Sequence, residues 1–157
     1  MRGTPAVIEV LNEVLTAELT AINQYFIHAK MQQNWGYDRL ATKSREESID
    51  EMHDADRLME RILYLGGVPN IQRLNPVGVG ETVPEQLRLD LALEEAARER
   101  YNRAIAICVA DGDNGSRELC ERHLVGEEAH GDWIEAQLEL IEQVGIENYL
   151  SQQIHGG

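Results

Sequence analysis

Glu127-Glu128-Ala129-His130 is a short string whose setting decides how the whole chain reads. It falls inside a helical pattern over about 116–144. Glu127 and His130 are three residues apart, so they share one helix face, a turn from each other. The apolar stripe of the segment is Cys120, Leu124, Ile134, Leu138 and Ile141, and steps of three or four residues along it land on Glu127. A carboxylate thus occupies a position that should face the core. An unpaired buried charge is very costly, so Glu127 is either neutral or compensated by a cation. A carboxylate and an imidazole on one face suit a first-row metal, with zinc, iron and manganese all admissible. One Glu-x-x-His is weak grounds alone; its weight rests on what the other helices bring.

Working outward, the same stepping predicts three more long helices. The first covers about 5–34, with Thr4 as its cap and Pro5 at the first helical position. Its stripe of Val7, Leu11, Val14 and Ile22 includes Glu18. The second covers about 38–65 and stops at Gly66-Gly67; its core face of Ala55, Leu58, Ile62 and Leu65 steps back to Glu51. Thr82-Val83-Pro84-Glu85 has the form of a capping box. It opens a third helix over about 84–110, whose stripe of Leu87, Leu91, Tyr101, Ile105 and Cys108 includes Glu94. Asp111 to Gly115 reads as a turn, and a short fifth helix is expected over about 146–154. Residues 66–82 hold Pro69, Pro76 and several glycines. That is too broken for a helix and too long for an ordinary helix link. It reads as a crossover running from one end of a bundle to the other.

The 157 residues suggest a single domain over 1–157. A formal net charge of −14 argues against nucleic acid and anionic membranes as partners. It is compatible with attracting cations, and equally with an ordinary acidic protein. Cys108 and Cys120 lack metal-ligand spacing and read as reduced, buried residues. The N-terminus shows no apolar signal core, and no apolar run is long enough to span a membrane, so a cytoplasmic location is expected.

The four glutamates form an internal repeat. Glu18 and Glu51 are 33 residues apart, as are Glu94 and Glu127, and a shift of 76 maps the first helix pair onto the second. Glu18 maps to Glu94, Glu51 to Glu127, and Asp54 to His130. Each glutamate taken singly could sit at a stripe edge and reach solvent. Four at matched depths fit that picture poorly. Convergent core carboxylates repel unless cations sit among them, which points to a two-metal centre of iron or manganese.

With these residues in view, the chain resembles the bacterioferritins over essentially its whole length. The ferritin-like pattern is a glutamate from each of two helices plus Glu-x-x-His from the other two. Further similar stretches are Glu18-Leu19, Ala21-Ile22-Asn23-Gln24-Tyr25-Phe26, Glu47-Ser48-Ile49-Asp50-Glu51-Met52 and Glu147-Asn148-Tyr149-Leu150. The resemblance implies an all-α, ferritin-like four-helix bundle with a long crossover and a short fifth C-terminal helix. It implies a hollow 24-subunit shell that stores ferric mineral and a ferroxidase that oxidises Fe(II) with oxygen or peroxide at a di-iron centre. By the same resemblance Glu18 and Glu94 are terminal ligands, Glu51 and Glu127 bridge, and His130 is a terminal imidazole. Tyr25 lies two turns from Glu18 and either donates electrons, as the family suggests, or fills core space. A ferredoxin-type protein is the implied reducing partner.

The resemblance breaks at one ligand. The family carries a second Glu-x-x-His in the second helix, where this chain has Glu51-Met52-His53-Asp54. His53 is rotated about 100° from the ligand face and is expected to be exposed. Asp54 can ligate through oxygen, but its side chain is shorter. Five carboxylates around two Fe(II) ions leave one negative charge in excess, which favours Fe(III) retention or a retained proton. The expectation is a centre that binds metal unequally and turns over more slowly. The alternative function is a haem-bearing structural subunit with an impaired centre, co-assembling with an intact sister subunit. Glu46 and Asp50 are four apart and could bind iron on the inner wall or form a solvated acidic face. Met52 reads by type as packing in a helix interface. The resemblance instead implies haem b shared between two subunits through paired Met52 side chains, faced by Leu19, Ile22, Asn23, Phe26 and Ile49.

Overall fold

The computed structural model describes residues 2–155, which are helical apart from the links and form no strand. The elements are α1 (Pro5–Asn34), α2 (Asp38–Tyr64), α3 (Val83–Ala110), α4 (Asn114–Val144) and α5 (Ile146–Ser151). Thr4 caps α1 by accepting from Val7 N, with Pro5 in the first turn. The capping box before α3 forms only in part. Thr82 Oγ1 accepts from Glu85 N, but the Glu85 carboxylate accepts from Glu81 N, one residue earlier than a box requires.

Several helix bounds differ from the sequence reading. α4 begins at Asn114 rather than 116 because the Asp113 carboxylate caps it, accepting from Ser116 N at 3.0 Å. Arg61 of α2 fixes that cap, donating to Asp113 Oδ1 and to Ser116 Oγ, both at 2.9 Å. α3 begins at Val83 rather than 84, since Thr82 is its cap. α2 stops at Tyr64, one residue short, and Gly66 supplies the φ of 83° that turns the chain away. α5 stops at Ser151 rather than 154, where Gln152 N and Gln153 N bond the Tyr149 and Leu150 carbonyls in tighter three-residue turns.

α1 packs along α2 and α3, α3 packs along α4, and α2 faces α4 across the remaining, wider side. The crossover runs beside α1 and is laced to it at steps of one or two helical turns. Asn12 Oδ1 accepts from Asn70 N, Thr20 Oγ1 from Asn75 N, Gln24 Oε1 from Gly78 N, and His28 Nε2 from Gly80 N. This polar row satisfies a backbone that has no helix or sheet of its own to pair with. It also brings α3 in at the far end of α1, running antiparallel to it: Gln86 meets Gln32, and Asp90 meets Gln24 and His28.

Two apolar clusters fill the bundle. One, around Leu11, Leu15, Leu58, Ile62 and Cys108, holds the end where α1 begins. The other, around Leu40, Leu87, Ile134 and Tyr149, holds the opposite end and takes in α5. Between them lies a layer of acids. Both cysteines are free and buried.

Candidate metal centre

The acidic layer is as dry as the clusters around it. Glu18 is 2% exposed, Glu51 4%, Glu94 3% and Glu127 3%. Those values rule out side chains that reach along a stripe edge to water. Carboxylate oxygens of Glu18, Glu51, Asp54 and Glu127 all lie within 4.8 Å of one another, a group able to hold a metal ion. Glu94 and His130 stand beside this group as a pair, with His130 Nδ1 2.6 Å from Glu94 Oε1. Tyr25 donates its hydroxyl to the same Glu94 oxygen, and its ring meets His130 edge-on at 5.1 Å.

The sequence-predicted residues therefore fall into two neighbouring sets. Asp54 reaches the first despite its short side chain, while its Oδ1 also accepts from Arg57 at 3.3 Å. His53 is exposed, as are Glu46 and Asp50. Met52 is 54% exposed, and the apolar residues Phe26 and Ile49 are exposed as well, Ile49 one turn before it on α2. Among the described residues neither apolar cluster takes in Met52, so the interface-packing reading needs a second subunit as much as the haem reading does.

Burial dominates the proton chemistry. It raises Glu18 from 4.5 to about 8, helped by the nearby Asp54 carboxylate. It raises Asp54 from 3.8 to about 6. Glu127 is pushed well above its usual range by burial and then by Glu18. Burial acts on Glu94 too, but hydrogen bonds from Glu127 and His130 outweigh it and hold that acid low. Without metal, burial thus favours the protonated forms of Glu18 and Glu127, while its hydrogen bonds favour the ionised form of Glu94.

Protons alone leave the layer unsatisfied. Among the described residues no donor reaches Glu18 Oε2, Glu51 Oε2, Glu94 Oε2 or Glu127 Oε1, all of them buried. Buried acceptors without partners are costly. Oxygens from four helices aimed into one dry space, with an imidazole alongside, fit hard or borderline divalent ions such as iron.

Two residues of this layer escaped the sequence reading. Tyr101 donates to Glu18 Oε1 at 2.7 Å and contacts His123 Nδ1 at 3.1 Å. His123 is 4% exposed. Burial lowers it to about 4, with Arg57 and Arg122 adding to the effect. Both were findable. Tyr101 follows Glu94 by seven residues, as Tyr25 follows Glu18, and His123 precedes Glu127 by one helical turn.

Comparison with known proteins agrees with this geometry. Residues 8–144 match the ferritin family, described as a ferritin-like domain. The chain is 47% identical over 152 residues to the bacterioferritin of Mycolicibacterium paratuberculosis and to that of Mycobacterium tuberculosis strain H37Rv, covering 97% of this chain and 96% of each relative. It is 50% identical over 154 residues to the bacterioferritin of Streptomyces coelicolor, covering 98% of this chain and 92% of the relative. A bundle crossed by a laced link, an acid layer at mid-height and likeness along nearly the whole chain lead to one conclusion: the chain belongs to the ferritin family and, within it, to the bacterioferritins.

Proposed function

We propose that the protein stores and detoxifies iron, oxidising Fe(II) to Fe(III) at a di-iron centre inside each subunit and holding ferric mineral in a 24-subunit shell. The observation that carries this reading is the set of orphaned, buried carboxylate oxygens from four helices. Membership of the bacterioferritins supports iron as the metal. Glu18, Glu51, Asp54 and Glu127 would hold one ion, and Glu94, His130, Glu51 and Glu127 the other, with Glu51 and Glu127 between them. Two Fe(II) supply one electron each to dioxygen or peroxide. The residues keep the ions adjacent, exclude bulk water, and give up the protons of Glu18 and Glu127 when metal enters. Tyr25, bonded to Glu94, would donate an electron to the centre in this reading.

Haem b would sit on the open face of Phe26, Ile49 and Met52, with Met52 from two subunits on either side of it. Reduction through a ferredoxin-type partner and a cytoplasmic location belong to the same reading. No helix among the described residues is long and apolar enough to cross a membrane.

A second reading rests on Asp54: a haem-bearing subunit with an impaired centre, assembled with an intact sister chain. One experiment separates the two. Purified protein from its native source is sized by light scattering, run on a denaturing gel and mixed with Fe(II) in air. The first reading expects a particle of one chain type that oxidises two Fe(II) per subunit in a fast phase. A second chain on the gel, with no fast phase from the pure subunit, supports the alternative. A monomeric particle inert to Fe(II) removes both.

A further inference from the structure

The geometry points to His123 as the second imidazole of the centre, a metal ligand delivered from α4 to the position where Asp54 stands on α2. This rests on the two-metal reading above and extends it to a residue that the Glu-x-x-His pattern does not include.

The first support is a likeness of geometry rather than a copy in sequence, since the shift of 76 carries Asp54 onto His130 and Glu47 onto His123. Tyr25, Glu94 and His130 form a triad in which the tyrosine bonds the glutamate and meets the imidazole edge-on, at 5.1 Å and 84°. Tyr101, Glu18 and His123 repeat it, with a 2.7 Å bond and ring centroids 5.7 Å apart at 87°. Each half of the acid layer therefore has one tyrosine, one terminal glutamate and one histidine. The halves match again across α2 and α4. His130 Nδ1 lies 3.4 Å from Glu47 Oε2, and His123 Nε2 lies 3.5 Å from Asp54 Oδ1.

The second support is the proton inventory of that triad. A tyrosine hydroxyl has one proton. Tyr101 gives it to Glu18 Oε1, so the contact with His123 is Nδ1–H donating to the Tyr101 oxygen. Nε2 is then left with a bare lone pair, the form that binds metals. A hydrogen bond at the far nitrogen is also how proteins set a ligating imidazole. Nε2 is buried and has no hydrogen-bond partner among the described residues. It faces Asp54 Oδ1, itself a member of the four-carboxylate group. Asp54 Oδ1 is held by Arg57 at 3.3 Å, whereas Nε2 has no such donor, and a cation shared with Asp54 would satisfy it. Two donors each about 2.1 Å from a shared ion stand roughly 3 to 4 Å apart, which is the gap observed here.

The imidazole missing from α2 is thus restored from α4, and each metal position regains one nitrogen donor. The test is metal binding, read without turnover. Assembled protein is titrated with Co(II) under anaerobic conditions by calorimetry and visible absorption, and crystals are soaked for anomalous diffraction. The unaltered protein should take two Co(II) per subunit, with an anomalous peak about 2.1 Å from His123 Nε2. His123→Leu should keep one tight Co(II) and weaken the other by about a hundredfold. Asp54→His combined with His123→Leu should restore two. Two full peaks in the unaltered protein with neither in bonding range of Nε2, or unchanged affinity at both positions in His123→Leu, overturns this inference alone. Absence of bound Co(II) in the unaltered protein overturns the two-metal reading and this inference with it. The crystal measurement needs no variant, so it decides the matter even if His123→Leu fails to assemble.

Discussion

Gly80 donates its backbone N–H to Nε2 of His28 across 2.9 Å, which ties the end of the crossover to α1. Because Nε2 accepts, the proton of this imidazole is on Nδ1, where it is given to Asp90 Oδ1 at 2.9 Å. One fully buried ring thus satisfies a loop amide and a buried acid of α3 together. His28→Ala strands the Gly80 amide and leaves Asp90 with its Gln24 donor alone, and should cost about 2–3 kcal/mol. Chemical denaturation of the dissociated subunit measures this; a loss under 1 kcal/mol would show that the lacing is not holding the crossover.

Glu127 is the acid most compromised by its surroundings. Glu127→Gln keeps the shape, removes an ionisable group and leaves an amide able to donate to Glu94. In metal-free protein above pH 8 it should add about 1 kcal/mol, or roughly 2–4 °C in Tm. The same variant should lose the stabilisation that Co(II) gives, about 2.7 kcal/mol at a hundredfold excess over Kd, and slow Fe(II) oxidation at least about tenfold. Melts with and without metal separate the two effects. A variant that gains stability and still responds fully to Co(II) would place Glu127 outside the centre.

The centre also sets a pH dependence whose sign can be worked out. In the metal-free fold Glu18 is raised to about 8 and Asp54 to about 6, so the folded chain holds protons that the unfolded chain has shed. Their stabilising contribution is whole below the unfolded values and is lost as pH rises through 6 and then 8. His123 has the opposite sign: lowered to about 4, it contributes stability that is lost as pH falls from 6.5. Above pH 6.5 only the acids remain active. The melting temperature of metal-free protein should therefore fall from pH 6.5 to 8.5, and metal loading should flatten that slope. A rising curve in metal-free protein contradicts the assignment.

Met52 offers a cleaner separation of cofactor from fold. It is half exposed and lies outside both apolar clusters of the described residues, so Met52→Leu should leave helix content and shell size unchanged. Haem absorbance of the purified particle should drop to background. Retained haem in Met52→Leu would assign its ligation elsewhere.

The sequence made the bundle legible because Glu18, Glu51, Glu94 and Glu127 each interrupt an apolar stripe at the right step, and only a buried layer explains four such interruptions. The repeat made their convergence legible as well. Tyr101 and His123 were passed over for different physical reasons. Tyr101 looked like core filling, although the shift of 76 maps Tyr25 onto it. His123 adjoins the stripe residue Leu124, and what it faces depends on how α2 and α4 are set against each other, which no single helix records. The start of α4 was hidden similarly: Asp113-Asn114-Gly115 has turn composition, and the Arg61 contacts from another helix hold it helical. Met52 stayed open because its side chain is exposed, so no packing within one subunit decides its role.

The side where α2 meets α4 carries one polar pair every seven residues: Arg61 with Ser116, Asp54 with His123, and Glu47 with His130. Sliding α4 by a single turn would break all three pairs at once, parting Arg61 from Asp113 and Ser116, His123 from Asp54 and His130 from Glu47. The chemistry of the centre thus also works as a ruler during folding, rejecting near-miss alignments of two long rods before any iron arrives.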